Sequence, residues 1–386
     1  MKISSTRSGR LVQTLSGYTA FIPSTLPLES PIQIDPEMQR LLSDADRKLG
    51  RLDGITRVLP NPNLFLAMYV KKEALLSSQI EGTQASLVDV LSVPKNVEST
   101  KTRNDVEDVV NYVHAMNYGL ARLQELPMSL RLLREIHGQL LRNVRGSEKN
   151  PGEFRRSQNW IGAMGCTLSN ATFVPPPVEE MNEALWNLEE FINSDAQYIP
   201  PLIKIAMIHA QFETIHPFLD GNGRVGRLLI TFWLCQQHFL EKPLLYLSYY
   251  FKQNRLEYYD RLMRVRLHGE WEEWVKFFLK GIAEVSDEAT DSAERIIRLK
   301  ENFTDLVRNQ APNASYAIPL LDFLFENPII ARKDVVENFH VSSPTAKYAL
   351  ETFCKLGILL DVDQEKQKNK RYRFQPYLDI LERGTE

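Results

Sequence analysis

Cysteine is scarce: three occur in 386 residues, Cys166, Cys235 and Cys354. They are far apart, odd in number and form no C-x-x-C pair, which excludes a disulfide framework and a structural zinc site as the basis of the fold. Charge of one sign is missing too. Forty-six Lys and Arg against 49 Asp and Glu leave a net charge of −3, so no global positive field exists to hold nucleic acid. Long apolar runs are absent. The longest, Leu228 to Cys235, includes Thr231 and is too short to cross a bilayer. Met1 to Pro23 mixes Ser, Thr, Arg and Gly and lacks the apolar core of a signal peptide. No Gly-Lys dipeptide occurs, which removes a Walker phosphate loop. A soluble, cytoplasmic protein with no membrane partner is expected.

What remains is ordinary globular composition, 43% hydrophobic, 25% charged and 10% aromatic. At roughly 100–200 residues per domain, the length suggests two or three domains. Residues 1–35 are rich in Ser, Thr and Pro and read as an extended arm wrapping the next domain. Helical spacing starts at Pro36, with Leu41, Leu42, Ala45 and Leu49, and Leu64 to Ile80 forms a long apolar helix that stops at Gly82. Ser86-Leu-Val-Asp89 has the form of a capping box opening another helix. Between Gly146 and Pro177, Pro and Gly break the pattern, and Trp160 to Val174 suits a small hairpin. Helical periodicity resumes at Val178–Ile192, Ile203–Thr214, Arg224–Phe239, Glu257–Leu267 and Trp271–Ile297.

The C-terminal part has another layout. Helical stretches at Ala317–Phe325, Arg332–Phe339 and Ser343–Leu356 precede strand-like pieces at Ile358–Val362 and Arg371–Phe374, the order of a winged helix-turn-helix. The expected division is 1–124, an N-terminal arm and helical domain; 125–297, the core; and 298–386, the winged-helix domain.

The most informative stretch is His216-Pro-Phe-Leu-Asp220-Gly221-Asn222-Gly223-Arg224-Val-Gly226-Arg227. Its Gly221, Gly223 and Gly226 spell G-x-G-x-x-G, but that dinucleotide fingerprint requires a preceding strand, and Ile203–Thr214 is helical. The segment still suits phosphate. Gly221-Asn222-Gly223 permits a tight turn with converging N–H groups at the start of a new helix, where anions are stabilised. Arg224 and Arg227, three apart, can grip further phosphate oxygens. Asp220 is a hard oxygen donor suited to Mg²⁺ on phosphates, and His216 is a proton acceptor near neutral pH. His209, Glu213 and His216 also have the i, i+4, i+7 spacing of a zinc site. Pro217, however, ends the helix near His216 and swings that ring away, so a hydrogen-bonded core role is expected for His209.

These twelve residues resemble the signature of the Fic domain, H-x-F-x-[DE]-G-N-G-R-x-x-R, without a departure. Pro151 to Gly162 is similar to the approach to that family's flap. Ser77-Ser-Gln-Ile-Glu81-Gly82 resembles the inhibitory motif [ST]-x-x-x-E-[GN], placed upstream of the core. The resemblance covers about Pro36 to Ala283. It implies a mainly α Fic-type helical bundle with a small β-hairpin flap, and transfer of AMP from ATP to a hydroxyl side chain of a protein. His216 would deprotonate the hydroxyl and Asp220 would hold Mg²⁺. Gly221, Asn222 and Gly223 would line the anion hole, next to Gly226 in the same turn, and Arg224 and Arg227 would bind the polyphosphate. Tyr258, Tyr259 and Leu262 match the adenosine-side pattern Y-Y-x-x-L, although Arg266 stands where an Asn is placed by the family. The flap, 161–174 with Ile161 and Gly162 at its start, would bind the target main chain. Glu81 would pair with Arg227 and hold the enzyme inhibited.

Alternatives remain open at this stage. UMP or phosphocholine transfer, or removal of AMP, uses the same phosphate-binding motif. Gly223 argues against a Doc-like kinase, which carries Lys there. A winged-helix regulator with a Fic sensor domain is the non-enzymatic reading. Residues 316–386 carry ten Lys or Arg against eleven Asp or Glu. DNA is therefore not favoured as a partner, despite Lys366, Lys368, Lys370, Arg371 and Arg373 in the wing. A protein-docking or homodimer role is expected instead.

Overall fold

In the computed structural model, residues 3–58, 62–91, 100–144, 146–163, 165–195, 198–310, 316–363, 365–366, 370–383 and 385 are described. The chain opens with two antiparallel strands, β1 (Gly9–Gln13) and β2 (Thr19–Pro23), in register from Gly9 opposite Pro23 to Gln13 opposite Thr19. The arm expected over 1–35 therefore contains a hairpin. Its signal is the pair of apolar pieces Leu11-Val12 and Ala20-Phe21-Ile22 around Ser16-Gly17, hidden by the surrounding Ser and Thr. The rest of the arm wraps as expected. Leu26 N–H donates to Asn187 Oδ1 at 2.8 Å, and Arg7 pairs with Glu272 at 2.8 Å.

Helices α1 (Pro36–Val58), α2 (Pro62–Ile80), α3 (Leu87–Leu91) and α4 (Thr100–Arg122) follow. The capping box at α3 forms: Ser86 N–H donates to Asp89 Oδ2 at 2.9 Å and Asp89 N–H to Ser86 Oγ at 3.2 Å. Next come α5 (Leu130–Leu140), α6 (Val178–Asn193), α7 (Pro201–Ile215), α8 (Asn222–Gln236), α9 (Ser248–Gln253), α10 (Arg255–His268) and α11 (Trp271–Gln310). Every residue of α7 from Leu202 to Ile215 is buried, so it is the central helix, and α8 packs directly on it. The 40 residues of α11 run unbroken through positions 297 and 298, with α1 lying along it. No helix among the described residues is long and apolar enough to cross a membrane.

Beyond α11 stand α12 (Ala317–Glu326), β3 (Ile329–Ala331), α13 (Arg332–Phe339), α14 (Ser343–Lys355), β4 (Leu360–Asp361), β5 (Arg371–Arg373) and α15 (Gln375–Leu381). The three strands form an antiparallel sheet in the order β3-β5-β4. This layout is consistent with a winged helix, and it adds β3 and α15 to the elements expected. Ser342 caps α14 by accepting the Thr345 N–H at 3.3 Å. Lys368 of the wing lies outside the described residues.

Candidate active site

Helix α7 ends at His216, which takes the left-handed conformation with φ 49° and ψ 61°. Pro217 cannot continue the helix, and the turn that follows leads to Gly221, φ 77°, the N-cap of α8. The site loop, 216–227, thus runs from the end of α7 through the turn 217–221 into the first turns of α8. His216, Leu219, Asp220, Gly221, Asn222, Gly223 and Arg224 line a cavity of about 260 Å³, closed by Glu81, Gly82 and Thr83 after α2 and by Asp105 and Asp108 of α4.

Four side chains hold the loop in shape. Asn222 folds its side chain back: Oδ1 accepts the Phe218 N–H and Nδ2 donates to Phe218 O, both at 2.8 Å. The Asn222 side chain, expected at the anion hole, therefore clamps the loop. Arg155, buried, donates from Nε to His216 O at 3.1 Å, from Nη1 to Ser157 O at 3.3 Å and from Nη2 to Pro176 O at 2.5 Å. Asn159 Nδ2 donates to His216 O and Phe218 O. His137 of α5 stacks on Phe218 at 3.8 Å and accepts the Gly152 N–H at Nδ1, so Nε2 carries the proton and donates to Asp220 O at 3.1 Å. Burial lowers the His137 pKa to about 4 and keeps the ring neutral.

The His216 imidazole is half-buried, and its Nδ1 has no hydrogen-bond partner among the described residues. Burial, together with the charges of Arg266 and Arg155, lowers its pKa to about 3, so the ring is neutral at pH 7. Asp220 Oδ1 accepts the Gly221 N–H at 2.6 Å, and its side chain is 38% exposed on the cavity. Among the described residues, no group of three or more His, Cys, Asp or Glu is placed to hold a metal ion.

Glu81 and Arg227 meet as the sequence motif suggested. Arg227, 2% exposed, donates from Nη2 to Glu81 Oε1 at 2.7 Å, and from Nε and Nη2 to Ser77 Oγ and Ser77 O at 2.8 and 3.0 Å. Burial alone would raise the Glu81 carboxyl. The charge and hydrogen bond of Arg227, with the charge of Arg224 behind them, outweigh it and hold the pKa below the usual carboxylate range. A Cβ at Gly223 would overlap Glu81 Oε1, so only glycine admits the pair at this approach. Arg224 is also nearly buried, with Nη1 at 3.8 Å from Asp108 Oδ1 and Nη2 at 3.7 Å from Asp220 Oδ1.

Other expected positions are spread around this centre. Tyr258 is buried, and its hydroxyl donates to His209 Nε2 at 2.9 Å, while His209 Nδ1–H donates to Gly226 O at 3.0 Å. His209 is therefore the core residue anticipated, and Gly226 is the packing point of α8 on α7. Leu262 is buried, whereas Tyr259 is 39% exposed. Arg266 donates to Glu213 O at 3.0 Å and Thr214 Oγ1 at 3.2 Å, with its guanidinium 4.2 Å from the Phe173 ring. The residue that departs from the family pattern thus caps α7 and braces the flap. In that flap Ile161 and Phe173 exchange both backbone hydrogen bonds, at 2.8 and 3.0 Å. Gly162 lies so close to Cys166 that a Cβ would overlap its Sγ. Met164, in the same segment, lies outside the described residues.

Sequence reasoning missed His137, Arg155, Asn159, Asp105 and Asp108. Arg155 and Asn159 stand within the segment singled out as the flap approach, so their position was visible and their role was not. The other three come from α4 and α5, with no local motif.

The Fic/DOC family N-terminal profile matches residues 39–121, and the Fic/DOC family profile matches residues 127–234. The chain is 28% identical over 262 residues to the protein adenylyltransferase Fic of Drosophila willistoni, which covers 66% of this chain and 47% of that protein. It is 26% identical over 270 residues to the protein of the same name from Drosophila melanogaster, with 66% and 51% covered. The chain spans about half the length of these curated relatives. A solved Fic family protein from Desulfovibrio desulfuricans superposes with a TM-score of 0.58 at 19% identity, over 90% of this chain and 98% of that one, and shares the fold. The two matched segments run through α1–α4 and from α5 into α8, and so contain both Glu81 and the whole 216–227 loop: the chain belongs to the Fic/DOC family.

Proposed function

We propose that this chain transfers AMP from ATP to a hydroxyl side chain of a protein, and that α2, as docked here, holds it inhibited. The observation that carries the reading is the 216–227 loop: a neutral imidazole, the N-terminal turn of α8 and a nearly buried arginine around one cavity. His216 takes the hydroxyl proton, with Nε2 left to receive it because Nδ1 is buried. The hydroxyl oxygen bonds to the α-phosphorus, the bond from that phosphorus to the β-phosphate bridge breaks, and pyrophosphate leaves. The N–H groups of Gly221, Asn222 and Gly223 and the guanidinium of Arg224 stabilise the phosphate oxygens, with Arg227 reaching them once Glu81 releases it.

Asp220 suits Mg²⁺, since that ion binds through one or two carboxylates together with substrate phosphates rather than in a protein cage. Bound there, the ion would supply charge neutralisation to the nucleotide phosphates. Tyr259, exposed near the same site, is the residue of the Y-Y-x-x-L pattern best placed for the adenosine. The flap 161–174 is assigned to the protein target by strand addition, with Ile161 and Gly162 at its start. Three free thiols support a reducing, cytoplasmic compartment.

The division proposed is an inhibitory N-terminal part to about residue 124, a catalytic core to about 297, and a C-terminal winged-helix part sharing α11 with it. For the latter a protein or a second copy of the chain is the favoured partner. Lys366 and Arg371 are paired with Asp363, and Lys370 with Asp361, at 2.7–2.9 Å, which weakens the wing as a polyanion surface.

The test is transfer of label from ATP carrying it at the α-phosphate, with Mg²⁺, in the native chain, Glu81→Gly and Glu81→Gly/His216→Ala. Label in Glu81→Gly, falling about 10²–10⁴-fold when His216 is removed, is expected. Label that persists without His216 would remove the base, and label from the γ-phosphate alone would replace AMP transfer by phosphorylation.

A further inference from the structure

The cavity holds more acid than a polyphosphate site requires. Glu81, Asp105, Asp108 and Asp220 all line it, against Arg224 and a neutral His216. Asp220 and Arg224 belong to the loop itself. The other three carboxylates arrive from the N-terminal helices, Glu81 just past α2 and Asp105 and Asp108 three residues apart on α4. They act as one unit, because Asp105 Oδ2 accepts the Gln84 N–H at 2.9 Å and ties the turn carrying Glu81 to α4. Each arginine of the loop therefore faces a carboxylate from outside it. Arg227 meets Glu81 at 2.7 Å, and Arg224 meets Asp108 at 3.8 Å.

On the nucleotide-transfer reading, which this deepens, we infer that Asp108 is a positioning residue that competes with nucleotide phosphate for Arg224. The inhibition then has two contacts, Glu81 on Arg227 and Asp108 on Arg224. A guanidinium has a fixed fork of donors, and a carboxylate near one arm occupies part of the field that a phosphate oxygen must use. Asp108 and Arg224 are both more than nine-tenths buried, so water screens little between them. Glu81→Gly removes only one of the two contacts, and a native-like α4 keeps the other.

The experiment is titration of a fluorescent ATP analogue with Mg²⁺ into the full chain, together with initial rates of label transfer. The variants are Glu81→Gly alone and with Asp108→Asn, Asp108→Glu, Arg224→Gln, or Asp108→Asn/Arg224→Gln. Asn keeps the shape of Asp and removes its charge. Binding about three- to tenfold tighter than in Glu81→Gly is expected for Asp108→Asn, from one unit charge at this range. KM should fall by the same factor with kcat held. Asp108→Glu should return the Glu81→Gly affinity, and the Asn effect should vanish when Arg224 is Gln.

Weaker binding or a lower kcat in Asp108→Asn would overturn the inference and make Asp108 a support that aims Arg224 at the nucleotide. Unchanged affinity would overturn it too, and leave Asp108 as packing of α4. If Glu81→Gly binds nucleotide and transfers label while Asp108→Asn adds nothing, this inference alone fails. If Glu81→Gly binds no nucleotide, the reading beneath it falls and takes the inference with it.

Discussion

His216 owes its protonation state to where α7 stops. Pro217 ends the helix, and His216 at its C-cap takes the left-handed conformation that turns the ring off the helix face and into a half-buried position beside Arg155 and Arg266. A histidine whose pKa is depressed keeps its neutral form as pH falls below the ordinary value near 6.5. The sign for catalysis follows: the acid limb of kcat should lie below pH 6.5, even after bound phosphates push the ring part of the way back up. In Glu81→Gly, label transfer at pH 5.5 should stay within about twofold of its value at pH 7.5, where an unshifted imidazole would lose about tenfold. A midpoint at 6.5 or above would mean that the ring is solvated in the working enzyme. At this scale the sequence was most legible for residues inside one contiguous motif. His216, Asp220, Gly221, Gly223, Arg224 and Arg227 are neighbours in the chain and so neighbours at the site. For Asn222 no sign of a second task was legible in the sequence, because only the fold shows that its side-chain amide returns to Phe218. Arg266 stood out only as a departure from the family pattern, and its contacts with Glu213 O and Thr214 supply the reason.

The segment 150–177 between α5 and α6 is more than a carrier for the flap. Arg155 donates to three carbonyls, including His216 O, in a region where water does not replace a lost donor. Arg155→Ala should therefore cost roughly 2–4 kcal/mol of stability in a denaturant titration, in line with stranding buried acceptors, and lower kcat in the Glu81→Gly background. Arg155→Lys should recover less than half of that, since an ammonium cannot span three acceptors with a fixed fork. A loss under 1 kcal/mol would show that the loop holds its shape through Asn159 and Asn222 alone. Long periodic helices were readable at this scale to within a few residues: α6, α7, α12, α13 and α14 begin and end near the apolar spacing and caps that announced them. The short elements were not. β1, β2 and β3 have three to five residues, and α9 has six, too few to build a period, and each exists because a neighbour completes its hydrogen bonds or covers its apolar side. The long helix α11 hid the expected boundary at 297 for the opposite reason, since an amphipathic period continues through it without a stop signal.

At the scale of the whole molecule, α2 is not a peripheral flap. It packs against α4, α8, α9 and α12, and Met68, Tyr69, Val70, Ala74, Leu75, Leu76 and Ile80 are all buried. Glu73, one helical turn before Ser77 and two before Glu81 on the same face, is buried too, and accepts hydrogen bonds from Tyr112 and Ser248. Swinging α2 away would expose this apolar surface and those polar groups together, a cost of many kcal/mol. On the inhibited-enzyme proposal, relief then works at the end of α2, by moving Glu81 and the turn that follows, with the helix staying in place. Ligand linkage tests this. In the native chain Mg²⁺ and ATP should raise the unfolding temperature little, because Arg227 is taken. In Glu81→Gly the same nucleotide should stabilise by about 2.7 kcal/mol at a hundredfold excess over its dissociation constant. Amide exchange along α2 should remain slow in both, since the buried face of the helix does not depend on Glu81. Fast exchange throughout α2 in Glu81→Gly would instead mean that the glutamate anchors the whole helix, and that inhibition is lifted by undocking it.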